Sequence, residues 1–160
     1  MFEKQKVTPF LWFDGQAEEA ANFYTSIFKN SKIHNMTRYG DAGPGPKGSV
    51  MTVQFQLDGL EFVALNGGPQ YHFTEAISFA IRCETQQEVD ELWSKLTAGG
   101  EPGQCGWLKD KFGLSWQVVP KQLPKMLTDP DPAKTQRVMK AMMDMDKIEI
   151  APLEAAYNGK

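Results

Sequence analysis

One pattern occurs twice, and it restricts the chain to a duplicated strand–helix architecture. Ala20, Phe23, Tyr24 and Ile27 recur as Val89, Leu92, Trp93 and Leu96, each 69 residues further on. Both sets fall at i, i+3, i+4 and i+7, the spacing of an apolar stripe on an amphipathic helix. A strand candidate precedes each helix: "VTPFLWF" (7–13) before "QAEEAANFYTSIF" (16–28), and "AISFAIRC" (76–83) before the second. In the latter, Ile77, Phe79, Ile81 and Cys83 alternate with Ser78, Ala80 and Arg82, as in a half-buried strand. Thr85 and Glu88 form a capping box, and Gly99–Gly100 stops the helix. A constant offset across a strand–helix pair indicates an internal duplication.

Strands follow each helix. In "SVMTVQFQL" (49–57), Met51, Val53, Phe55 and Leu57 alternate with Thr52, Gln54 and Gln56. Asp58–Gly59 supplies the positive φ values of a two-residue hairpin turn, after which "LEFVALN" (60–66) returns. Leu57 then pairs with Leu60, Phe55 with Phe62 and Gln54 with Val63. One face is apolar and carries the helix. The other holds Thr52, Gln54, Gln56, Glu61, Val63 and Leu65. In "GLSWQVVP" (113–120), Leu114, Trp116 and Val118 pack, while Ser115, Gln117 and Val119 face the other way. Each half reads β-α-β-β(-β), giving an α+β fold with helices on one side of antiparallel-rich sheets. The expected organisation is one domain spanning 1–160, with module one at 7–69, module two at 75–120 and a C-terminal arm at 121–160. In the arm, Asp131 caps a helix with Pro132 at its first position. Val138, Ala141, Met142 and Met145 make its stripe, "KIEI" reads as a short strand and "LEAAYNG" as a final helix. The arm packs over the sheets, either of its own chain or of a partner subunit.

The net charge of −3 comes with no cluster of Lys and Arg, so a nucleic-acid partner lacks the basic stripe it needs. No apolar run reaches the length of a membrane span. The N-terminus "MFEKQKVTPF" has no apolar segment of the secretory type, and Cys83 and Cys105 make no disulfide framework. The expectation is a cytoplasmic protein with reduced thiols, no membrane association and no nucleic-acid partner.

"GPGPKG" (43–48) spells G-x-G-x-x-G, the dinucleotide fingerprint. A working fingerprint opens a helix whose N-terminal amides hold a pyrophosphate. Here a period-2 strand follows, and Pro44 and Pro46 remove two N–H groups. The segment reads as a flexible connection between two strands, with a tip placed to act as a lid on a cavity mouth.

"FLWFDGQAEEAANFYTSIF", "NGGP", "CGWLKDKFGLSWQVVP" and "KIEIAPLEAAYNG" together resemble the PhnB-like family, whose members carry the label 3-demethylubiquinone-9 3-methyltransferase-like. The family lies in the vicinal-oxygen-chelate superfamily, the glyoxalase, bleomycin-resistance and dioxygenase group. The resemblance covers nearly the whole chain. It implies paired βαβββ modules curving around a cavity, helices outside, and a homodimer. In metal-dependent relatives, His, Glu or Gln ligands come from the first and last strands of each module. The resemblance places those positions at Ser78, at its duplicate Pro9, at Gln117, and at Val63 with Glu61 one step along the same face. Proline removes one ligand outright, valine offers none unless Glu61 replaces it, and serine and glutamine are not the imidazole, carboxylate or thiolate a transition-metal site wants, so no metal and no cofactor are expected.

Gln54, Glu61, Ser78, Arg82, Ser115 and Gln117 project toward the implied cavity. A polar-dotted concave face suits a small ligand, although the open face of an antiparallel sheet can also be merely solvated. Arg82 either clamps an anionic group or pairs with Glu61. Phe73 and Trp107 lie where aromatic side chains wall a pocket, and Asn66 either orients a ligand or shapes the turn before Gly67, Gly68 and Pro69. Cys105 is the candidate for thiol catalysis, which requires an activating partner such as His72. Cys83 reads as core, and His34 and His72 as surface residues. The expected function is therefore small-molecule binding. The alternative is an enzyme: a lyase, a dioxygenase or a thiol-based transferase.

Overall fold

The computed structural model describes residues 5–160, and the chain divides into two compact units, Met1–His72 and Phe73–Lys160. The first contains β1 (Phe10–Phe13), α1 (Ala17–Ile27), β2 (Lys32–Arg38), β3 (Val50–Leu57) and β4 (Leu60–Asn66). Its sheet runs β1-β4-β3-β2, with β1 parallel to β4 and the other pairs antiparallel. Asp58 (φ 46°) and Gly59 (φ 85°) form the expected turn. It fixes the predicted register, Leu57 with Leu60, Phe55 with Phe62 and Gln54 with Val63.

Val53, Phe55, Phe62 and Ala64 are buried, with the Tyr24 ring of α1 stacked on Phe55. The buried face of α1 is Ala17, Ala20, Ala21 and Tyr24, rotated from the predicted stripe. Three alanines let the helix approach the sheet closely, and Phe23 and Ile27 move to its flanks, half-buried. The first strand starts at Phe10, later than expected. Pro9 ahead of it has no N–H for the ladder, although its carbonyl accepts from Val63 N at 3.0 Å.

"GPGPKG" does connect two strands, β2 and β3, but it is folded tightly. Tyr39 is buried, and a Cβ on Gly43 or Gly45 would lie 2.5 or 2.3 Å from its ring carbons. Arg38 Nη1 donates to Gly48 O at 3.0 Å, and Lys47 pairs with Asp41 at 2.8 Å. The loop is thus wrapped on a ring, which replaces the expected flexible connection.

The second unit contains β5 (Ser78–Cys83), α2 (Gln86–Thr97), β6 (Glu101–Pro102), β7 (Trp107–Lys109), β8 (Ser115–Pro120), α3 (Gln122–Leu127), α4 (Pro132–Met143) and α5 (Ile150–Tyr157). Its sheet order, β5-β8-β7-β6, repeats that of the first. Thr85 Oγ1 accepts from Glu88 N at 3.2 Å, and the Glu88 carboxylate reaches Glu84 N, one residue ahead of the cap. Val89, Leu92 and Leu96 are buried beside Leu114, Trp116 and Val118 of the sheet. Asp110, only 3% exposed, accepts from Phe112 N, Leu114 N and Trp116 Nε1 at 2.8, 3.1 and 2.9 Å.

The arm has its own apolar centre, Leu123, Met126, Val138, Ile148 and Leu153, with Val119, Ala141, Met142 and Met145 packed against it. It docks on the unit from which it emerges. Gln86 donates to Ile148 O at 3.0 Å and accepts from Ile150 N at 2.7 Å. Cys105 N and Gly106 N donate to Met145 O and Asp146 O, both at 2.8 Å. "KIEI" is not a strand: the Gln86 side chain takes the backbone groups that a neighbouring strand would have taken. Among the described residues, no helix is long and apolar enough to cross a membrane.

Candidate ligand-binding site

The first unit builds a groove where its sheet ends. β1 gives way to Asp14 and Gly15 (φ 80°) before α1, and β4 gives way to Gly67 and Gly68 (φ 108°). Trp12 lies across this second turn. Its ring would collide with a Cβ on Gly67, and its Nε1 donates to Gly68 O at 2.8 Å. Tyr71 packs edge-on against Trp12 at 4.9 Å. Asn66 ties the walls together: its Oδ1 accepts from Ala17 N at 2.9 Å and its Nδ2 donates to Val50 O at 3.0 Å. The Tyr39 hydroxyl donates to the Asn66 carbonyl. The space enclosed is about 460 Å³, with Pro44, Gly45 and Pro46 on one wall and Asp14, Glu18 and Gln70 around it. Asn66 is the one predicted ligand residue among its linings. Its amide is already committed to the backbone of α1 and β3, and not to the turn of Gly67, Gly68 and Pro69. The groove escaped the sequence reading because its walls come from four separated segments.

The other predicted residues, Phe73 apart, lie on the sheet faces opposite the helices. In the first unit, Gln54 pairs with Val63 and Glu61 with Gln56. Glu61 Oε2 is buried without a hydrogen-bond partner among the described residues. In the second unit, Ser78 and Gln117 are brought together, with Gln117 Nε2 donating to Ser78 Oγ at 2.9 Å. Trp107 pairs with Gln117, and Ser115 pairs with both Ser78 and Lys109. The Ser115 hydroxyl is buried with no partner among the described residues. Lys109, not singled out in the sequence, binds Glu75. That hydrogen bond, reinforced by the charge, lowers the Glu75 carboxyl pKa and raises that of Lys109. Arg82 is exposed and pairs with Glu84 at 3.5 Å. Phe73, half-buried, begins the second unit.

The register corrects one position in the superfamily comparison. Phe13 pairs with Asn66 where Cys83 pairs with Pro120, and Phe13 and Cys83, both buried, end the helix-facing side of their strands. The strands therefore correspond at an offset of 70, while the helices correspond at 69. The connection from strand to helix is one residue longer in the first module: Asp14, Gly15 and Gln16 against Glu84 and Thr85. The counterpart of Ser78 is therefore Thr8, not Pro9. At these positions the first unit offers the Thr8 hydroxyl and, at Val63, no donor, with the Glu61 carboxylate one step along the same face; the second unit offers Ser78 and Gln117. Hydroxyl and amide groups are poor transition-metal ligands, and Ser78 and Gln117 satisfy each other. Among the described residues, no three His, Cys, Asp or Glu side chains are grouped for a metal ion.

Cys105 takes φ 57°, and its thiol contacts Met142 O at 3.7 Å and Met143 Sδ at 3.9 Å. Its own unit contains no histidine. Cys83 is fully buried, and burial, helped by the Glu88 charge, pushes its thiol up to about 12. Titration of the native protein with a disulfide reagent at pH 7.5 is therefore expected to modify one thiol, Cys105. Cys83 should follow only in denaturant, and two fast thiols in native protein would contradict the packing.

The profile of the 3-demethylubiquinone-9 3-methyltransferase family matches residues 5–119. The PhnB protein of Bacillus cereus, itself described as a 3-demethylubiquinone-9 3-methyltransferase, is 41% identical to this chain. It superposes with a TM-score of 0.67 over 72% of this chain and 99% of its own. A protein from Pseudomonas aeruginosa shares the fold at 21% identity and a TM-score of 0.61, covering 73% of this chain and 98% of that one. The fosfomycin resistance protein FosX of Listeria monocytogenes does so at 17% and 0.53, covering 78% and 98%. No curated protein matches.

Proposed function

We propose a function for a chain that belongs to the 3-demethylubiquinone-9 3-methyltransferase family, PhnB-like, and has the fold of glyoxalase/bleomycin resistance/dioxygenase proteins. It binds a small molecule, and does so without the metal ion of the superfamily's metal-dependent members. The observation that carries this reading is the groove of about 460 Å³ in the first unit. Its size falls within the range of small-ligand pockets, and its walls are fixed by hydrogen bonds before any ligand arrives. The donor set at the metal positions supports the metal-free part. The methyl-transfer label finds little support: the Gly-rich segment joins two strands, whereas methyl-donor sites of the usual kind need such a turn between a strand and a helix.

A second location for the ligand is favoured by the Ser115 hydroxyl. A buried donor without a partner costs free energy that a ligand acceptor would recover. Screening a small-molecule library by thermal shift separates the two locations. Hits in the groove are expected to vanish in Glu18→Arg, which fills its mouth from an exposed helix position. Hits on the second sheet are expected to vanish in Ser115→Ala. A library that shifts neither the native chain nor either variant would defeat the binding reading.

A further inference from the structure

We infer that the groove at the end of the first sheet accepts the ammonium or guanidinium group of a small organic cation. This rests on the reading that the groove is a binding site, and adds the charge of what enters it. Around the groove, four side-chain donors are spent on backbone carbonyls, Tyr39 on Asn66, the Asn66 amide on Val50, Ser49 on Pro46 and Trp12 on Gly68, which leaves the neutral Gln70 amide. The Ala17 N–H, at the start of α1, is spent on Asn66 Oδ1. An anion entering here would meet only neutral donors and two carboxylates, with the first N–H of the helix already spent.

Acceptors remain. Asp14 and Glu18 line the groove, and neither forms an ion pair among the described residues. Among the described residues no lysine, arginine or histidine lines it, and nearby Lys47 is held by Asp41. Pro44, Pro46 and Val50 supply apolar walls for the rest of the ligand. A ligand that donates hydrogen bonds, carries positive charge and has an apolar body matches all three properties.

Benzylamine, benzyl alcohol and benzoate share one ring and differ in charge, so calorimetric titration of the three at pH 7 and low salt tests the inference. Benzylammonium is expected to bind about tenfold or more tightly than benzoate, with the alcohol between them, and to weaken as salt rises. The double variant Asp14→Asn/Glu18→Gln should abolish the order while its circular dichroism stays unchanged. Asp41→Asn, outside the groove, should preserve it. Equal or reversed affinities, an order that persists in the double variant, or no binding of any of the three would overturn the inference. If benzoate or the alcohol binds best and is lost in Glu18→Arg, the charge assignment fails while the groove stands as a binding site. If library screening also finds nothing, both fail.

Discussion

Replacing Asp110 with alanine is expected to lower the stability of the chain by about 3–4 kcal/mol, a loss of roughly 10 °C in melting temperature. The carboxylate is almost wholly buried, and three N–H groups converge on it: two from the turn before β8 and one from the Trp116 indole. Removing it strands those donors in the interior, where an unpaired group costs far more than a hydrogen bond contributes net. Asp110→Asn separates charge from volume. The amide keeps the shape, but one of its ends must present N–H to an N–H, so about 2 kcal/mol should be lost. Urea titrations of both variants read the difference. Equal stability of Asp110→Asn and the parent chain would mean that the site needs only a filled volume.

The second large effect falls on Asn66. Asn66→Ala unties α1 from the sheet at Ala17 and leaves Val50 O without its side-chain donor. The expected cost is about 2–3 kcal/mol, since both a helix-start donor and a strand carbonyl lose partners. Asn66→Asp keeps an acceptor for Ala17 N, and its negative charge suits the helix start, so it should lose only part of this. Asn66→Ala should also weaken any groove ligand by opening the wall. Denaturant unfolding orders the variants, and a cost for Asn66→Asp as large as for alanine would show that the helix cap is not what Asn66 supplies.

Short-range chemistry was the legible part of this fold. Asp58–Gly59 set a hairpin register by turn geometry alone, and Thr85 with Glu88 marked a helix start. The duplication was also legible, because helical stripes repeat at a fixed spacing. It misled at one point: one extra residue between β1 and α1 shifts the strands against the helices, and only pairing partners reveal the shift. Asn66 was visible as a polar residue before a glycine turn, yet its partners lie 49 and 16 residues away. Asp110 had a local signal that was passed over, an aspartate just ahead of a turn, whose side chain caps the following N–H groups. The helix-facing stripe of α1 was misplaced because alanines score weakly as apolar residues and pack most closely.

The wrapped loop between β2 and β3 has a consequence for how motifs are read. Gly43 and Gly45 are demanded by an aromatic ring of the same chain, which leaves no room for a Cβ on either side. Gly48, at φ 84°, is demanded by backbone handedness. Three independent steric demands, none concerned with phosphate, thus reproduce the spelling of a nucleotide fingerprint. Glycine spacing records where a backbone must come close to something. The identity of that something, a pyrophosphate in one protein and a tyrosine in this one, is written in the elements on either side.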